Sequence, residues 1–310
     1  MENTKKPALA ETPAALKLPR AKKRRMKPFD YINYILLGLF AFLCAFPVAY
    51  VILLSISSRA DYLNAKLLVL PFEPHIDAYK FIFQQGKVGQ AFGISIFITV
   101  VYVLYATVLT SLGAYAFTKK NVPGLKIIFT FIVATMFFSG GLIPFYMTTG
   151  SIIGTNNLAV LIIPFGISSF NMIVLRNFFK QVPDSLIESC KLDGASEFRI
   201  LIQFIMPLSK AGIATIMLFY TVSKWDDWYW PSLFLTKSRD LHPLALRLRD
   251  TVLLSISDPL SQEHTVNMQN LFGQGRNAAM IVVTIIPILA IYPFLQKYFT
   301  KGVMIGSVKQ

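Results

Sequence analysis

The chain has 310 residues, of which 54% are hydrophobic and only 15% charged, with a formal net charge of +14. Soluble domains carry about 25% charged residues, and several apolar runs here reach the ~20 residues that cross a bilayer, so a soluble globular chain is excluded. Runs of that length argue for helical spans over a β-barrel, whose strands alternate over about 10 residues.

Residues 1–30 are polar, rich in Lys, Ala and Pro, and end in "KKRRMK". They read as a disordered cytoplasmic tail with a topogenic charge cluster. The apolar run that follows is too long for a signal peptide and has no small-residue cleavage pattern. Residues 31–310 read as the membrane domain, with six candidate spans at roughly 31–56, 91–117, 127–148, 158–175, 208–229 and 278–296. Segments 57–90 and 230–277 are then long outer loops. With the N-terminus in the cytoplasm, two thirds of the 30 Lys and Arg residues fall inside. The positive-inside rule therefore predicts both termini inside.

Cys44 lies in an apolar run and Cys190 in a polar stretch. They fall in different compartments, and no disulfide is expected. His75, His242 and His264 are scattered through loops, without metal-ligand spacing.

Between the fourth and fifth spans lies "ESCKLDGASEFRILIQFIMP" (188–207), a polar interruption on the cytoplasmic side. Pro183 and Asp184 offer a helix start. Gly194 tolerates the left-handed conformation that ends a helix. Ser196 can cap a second helix, whose Phe198, Leu201, Ile202 and Ile205 recur at helical spacing and predict an apolar side. Pro207, lacking an N–H, is expected to break the chain before the fifth span. From the residues alone, interfacial packing and a docking element account equally well for such a helix pair.

The same stretch resembles the EAA loop of ATP-binding-cassette importer permeases. Glu188, Asp193, Gly194, Ala195 and Pro207 fall on its pattern, while Ser189 and Cys190 replace two alanines. "SLGAYAFTKKNVPG" (111–124), "LRNFFKQVPDSLIESCKLDGA" (175–195), "KWDDWYWP" (224–231) and "FTKGVMIGSVKQ" (299–310) are similar to segments of the carbohydrate (CUT1-type) permeases. "FFSGGLIPFY" (137–146) resembles the oligosaccharide and glycan subgroup of LplC/YtcP type. The resemblance implies a type I importer (MetI-like) permease fold in a bacterial cytoplasmic (inner) membrane. It implies an EAA loop over about 183–207 whose first helix docks on an ATPase, with Glu188, Asp193, Gly194, Ala195 and Pro207 as coupling residues. The implied partners are a second homologous permease, two ATPase subunits, an extracytoplasmic solute-binding protein, a sugar and membrane lipid. No cofactor is expected on this chain; ATP and Mg belong to the ATPase. Consistently, no G-x-x-x-x-G-K-[ST] phosphate loop occurs, and "QGKVG" (85–89) has Val after Lys.

Trp225, Trp228, Tyr229 and Trp230 cluster at the outer end of the fifth span, beside Asp226 and Asp227. An interfacial aromatic belt explains the rings. A sugar platform explains them too, with ring faces stacked on pyranose C–H groups and the two carboxylates accepting hydroxyls. Lys224 offers either aspartate an ion pair. Asn156 and Asn157 read as loop turns, and Arg176 and Lys180 as cytoplasmic-end anchors. Arg247 and Arg249 read as a solvated loop face or a binding-protein contact.

Two other functions compete. A permease for a non-sugar solute would share the loop and differ in its binding protein. A gradient-driven carrier would place acidic residues mid-span, and none is seen there. An enzyme is disfavoured, because no nucleophile–base set accompanies Asp226 and Asp227. Nucleic-acid binding by "KKRR" is displaced by the simpler topogenic role.

Overall fold

The computed structural model describes residues 28–64, 74–84, 87–120, 122–138, 140–257 and 273–307. The basic run at 22–27, and with it most of the expected tail, lies outside the described residues, as does His264. Every regular element among the described residues is helical, without a strand. By internal packing the chain divides into one unit up to Val48 and a second from Ala49 onward.

The first unit holds most of α1 (Pro28–Ser55), which already begins at Pro28. In the second unit come α2 (Arg59–Asn64), α3 (Asp77–Gln84), α4 (Val88–Ala116), α5 (Leu125–Ala134), α6 (Leu142–Ile153) and α7 (Ser169–Phe179). They are followed by α8 (Asp184–Leu192), α9 (Glu197–Leu208), α10 (Lys210–Trp225), α11 (Tyr229–Phe234), α12 (Leu244–Ser257) and α13 (Gly273–Ser307). Two short 3₁₀ turns, Ala159–Leu161 and Ile163–Phe165, precede α7.

α4 is the hub. It packs against α10, α7, α12 and α3, while α13 closes on α10, α3 and α12. Its exposed side carries Phe97, Val100, Val101, Leu104 and Val108, whereas Ser95, Thr99, Thr107, Thr110 and Ser111 are buried. Apolar residues outside and hydroxyls inside reverse the soluble pattern and suit a helix whose solvent is lipid. Two of the buried hydroxyls link helices: Thr110 and Tyr220 share a 2.6 Å hydrogen bond, and Ser95 Oγ accepts from Leu244 N at 2.7 Å. Backbones approach closely where glycine permits it. A Cβ on Gly212 of α10 would lie 2.5 Å from the Phe178 ring of α7, and one on Gly166 would collide with Tyr105.

Among the described residues, three helical stretches are long and apolar enough to span a membrane: α1, α4 and Gly273–Ile291 of α13. Two bent pairs raise this to five. One joins Ala159–Phe165 to Ser169–Phe179 at 51°, and the other joins α9 to α10 at 86°. The expected third span, 127–148, is not one helix. α5 stops at Ala134, the chain turns at 135–137, and α6 starts only after Gly141. Gly141 sits at φ +86°, a conformation open to glycine and costly for other residues. The expected fourth span, 158–175, is likewise broken, by Gly166 and its neighbours before Ser168 caps α7.

Candidate functional site

The polar stretch folds locally as its residues dictate. α8 starts after Pro183 and ends in a Schellman turn. Gly194 takes φ +77°, its N–H donates to Lys191 O at 3.0 Å, and Ala195 N–H donates to Cys190 O at 2.9 Å. Ser196 Oγ then caps α9 by accepting from Arg199 N at 3.3 Å. Glu188, Asp193, Gly194 and Pro207 are exposed and Ala195 is half-buried. Leu192 beside them is 89% exposed. A Cβ on Gly194 would meet nothing within 4 Å. Cys190 is buried and holds the other side of α8 in the core.

Two details of the second helix differ from expectation. Leu201–Ile205 is a π turn, in which Met206 N–H donates to Leu201 O, five residues back. This wider turn shifts the register. Ile200, Leu201 and Ile205 are buried, whereas Phe198 and Ile202 are exposed. Pro207 lies in the last turn of α9 without breaking it, and the sharp bend falls two residues later, at Ser209.

Charge contacts fasten this loop to the end of α4. Glu197 Oε2 accepts from Lys119 Nζ at 2.6 Å and from the Tyr115 hydroxyl. Its Oε1 pairs with Lys191 Nζ at 2.9 Å. Burial pushes the Glu197 carboxyl up, but the hydrogen bonds from Lys119, Tyr115 and Lys191 prevail and bring it down to about 2. Lys119 also stacks on the Tyr115 ring, 4.1 Å from its centroid. A second pair, Lys120–Asp184 at 2.8 Å, is largely exposed. The Lys120 amine, hydrogen-bonded to Asp184, holds that carboxyl below its ordinary range. Arg176, expected as an anchor, donates Nε–H to Phe117 O at 2.7 Å and lies over Phe129.

At the opposite end of α10, a cavity of about 300 Å³ is lined by Asp226, Asp227, Trp228, Tyr229 and Trp230, with Tyr102, Phe165, Ser223 and Lys224. Five of the six candidate sugar contacts thus come together. Trp225 does not join them. It is 6% exposed, donates Nε1–H to Thr284 O at 3.0 Å and meets Phe92 edge to face. Of the two aspartates, Asp227 takes the ion pair, at 2.9 Å from Lys224 Nζ. Lys224 is buried, also donates to Leu161 O at 3.0 Å, and sits 4.8 and 4.6 Å from the centroids of the Tyr102 and Phe165 rings. Asp227 Oδ1 further accepts from Trp230 N. Asp226 caps the end of α10 and remains exposed to the cavity.

Arg249 stacks on Trp228 at 4.3 Å, and Arg247 donates to Arg239 O at 2.7 Å, so both outer arginines engage their own chain. Asn156 adopts φ +61° and accepts from Lys237 N at 2.7 Å, while Asn157 Oδ1 accepts from Val160 N. Both serve loop turns. Sequence reasoning missed Tyr102 and Phe165 as cavity walls and did not join Lys119 and Tyr115 to Glu197. These partners are remote in sequence and leave no local pattern.

Residues 110–305, which include the loop and most of the cavity lining, match the family described as binding-protein-dependent transport system inner membrane component. The chain belongs to this family. The permease is 38% identical over 283 residues to Protein LplC of Bacillus subtilis (strain 168), covering 91% of this chain and 95% of that one. It is 35% identical over 291 residues to the polygalacturonan/rhamnogalacturonan transport system permease protein YtcP of the same strain, covering 91% and 98%. Among solved structures, a chain of a bacterial ABC transporter involved in the import of the acidic polysaccharide alginate superposes with a TM-score of 0.79. It is 29% identical, with 87% of this chain and 96% of that chain covered. The permease is therefore an inner membrane component of a transport system and has the MetI-like fold.

Proposed function

We propose that this permease is a membrane subunit of an ATP-binding-cassette importer that takes up oligosaccharides or complex glycans delivered by an extracytoplasmic binding protein. It works beside a second homologous permease and two ATPase subunits, which hold ATP and Mg. Both termini face the cytoplasm, and six spans cross the membrane, with α5 and α6 together making the third.

The observation that carries the reading is the loop. α8 presents Glu188, Asp193 and the open backbone of Gly194 on an exposed edge, while Cys190 anchors its back. A docking knob needs that arrangement: small residues for close approach, and a free carboxylate in Glu188 to pair with the ATPase. ATP-driven closure of two ATPases would move the loops as rigid bodies and reorient the spans above them. The glycan assignment rests on the relatives' cargoes and on the cavity. Its volume sits near the lower end of small-molecule sites, about 300 Å³. Trp228 and Tyr229 offer ring faces, and Asp226 accepts hydroxyls.

Gly194→Asp tests the loop. The site is open, and aspartate tolerates left-handed backbone better than most residues, so the variant should fold and insert. It should still fail to retain the ATPase and should abolish uptake. Uptake at the parent rate would overturn the docking role. Mass spectrometry of the gently solubilised, tagged permease should recover an ATPase, a second permease and a lipoprotein. A glycan panel on that lipoprotein then names the cargo.

A further inference from the structure

We propose that Glu197 is a positioning residue that locks the docking helix α8 to the cytoplasmic end of α4, so that the two move as one body. The inference rests on the docking role of α8 and goes beyond it. Three donors from two elements converge on this one carboxylate. Lys191 from the last turn of α8 takes one oxygen, and Tyr115 from the last turn of α4 and Lys119 just beyond its end take the other. Glu197 itself starts α9, on the far side of the Gly194 turn. The fork therefore bridges the point where the chain is most easily bent.

An isolated exposed ion pair would carry little mechanical weight. This one is a shared network over a firm base. Tyr115 is buried, and the Lys119 side chain, 23% exposed, lies against its ring. Cys190 already holds one side of α8 in the core, and the fork fixes the other, which sets the angle of α8 against α4. Without Glu197, Lys119 and Lys191 would face each other as like charges with no carboxylate between them. A push on α8 would then reach α4 without the fork, through the packed Cys190 side and the Lys120–Asp184 contact, which is solvent-exposed on both partners.

The test uses the complete importer with its co-purified ATPase. Cys44 and Cys190 are replaced by Ser and Ala, and spin labels are placed at Ala116→Cys on α4 and Ser185→Cys on α8. In the parent, the label distance should be single, narrow and the same without nucleotide and with ATP plus vanadate. Glu197→Gln should lose that single distance while ATP hydrolysis continues, and uptake per ATP should fall. Lys191→Met, which cuts only the arm to α8 and spares the Lys119–Tyr115 base, should do the same. Lys120→Met should leave the distance unchanged. A parent distance that shifts with nucleotide, or variants as narrow as the parent, would overturn the proposal. A parent that never retains an ATPase would instead overturn the docking role on which it rests.

Discussion

Lys224 and Asp227 form a buried pair beside the cavity, and its energetics are asymmetric. Two charges taken out of water gain little over a well-packed apolar pair, but removing one partner strands the other. Here the stranded group would be an ammonium that is 6% exposed. Asp227→Asn is expected to cost about 3 kcal/mol, read as a lowered melting temperature of the solubilised permease. Lys224→Met combined with Asp227→Leu should recover most of that loss. A single variant that melts like the parent would mean that the Leu161 carbonyl and the two ring faces suffice for the amine. The sequence placed Lys224 beside two aspartates and left the choice between them open. The helix end decides it: Asp226 becomes the cap of α10, and Asp227, one step on, returns to the amine. The same turn carries Trp225 away from its aromatic neighbours and into the core.

At the level of elements, legibility follows the range of the interaction that decides each feature. The Schellman turn at Gly194 and the Ser196 cap lie within six residues, and the sequence announces both. The Glu197 fork joins groups 78 residues apart, so the sequence displays the charges without their partners. Apolar runs mark candidate spans and do not say whether each is continuous. Hydropathy is blind to the turn at Gly141 that divides α5 from α6, and to the π turn at Leu201–Ile205. Helix pairing was also hidden, although one glycine marks it. Gly212 lets α10 press its backbone against the Phe178 ring, where a Cβ has no room. Gly212→Val should therefore force the α7–α10 contact apart at a cost of about 1–3 kcal/mol. Combining it with Phe178→Ala should relieve part of the loss. Thermal melting of the two single variants and the double variant measures this, and strictly additive losses would show that the two sites do not touch.

For the whole molecule, α4 supplies the ruler. Its 29 residues at about 1.5 Å each reach about 43 Å, beyond the ~30 Å hydrocarbon core, so its two ends must emerge on opposite sides. Lys87 precedes it and pairs with Asp240 at 2.7 Å. Lys120 follows it and pairs with Asp184 at 2.8 Å. One end thus belongs with the turn at Arg239–Leu241 and the other with the docking loop, while Tyr102, at the middle of α4, lines the aromatic cavity. Which end faces the cytoplasm is an electrostatic question; the sequence expectation, with the N-terminus inside, assigns two thirds of the Lys and Arg residues to the side of the loop. In a background with Cys44 and Cys190 replaced, Lys87→Cys should react with a membrane-impermeant maleimide added to intact cells. Lys120→Cys should react only after the cells are opened. Both surface pairs are exposed, so losing either lysine should leave stability and orientation intact. Labelling of both positions from one side would mean that α4 does not cross, and the six-span arrangement would fail with it. Opposite-sided labelling with the order reversed would keep the spans and place α8 outside, where no ATPase could reach it.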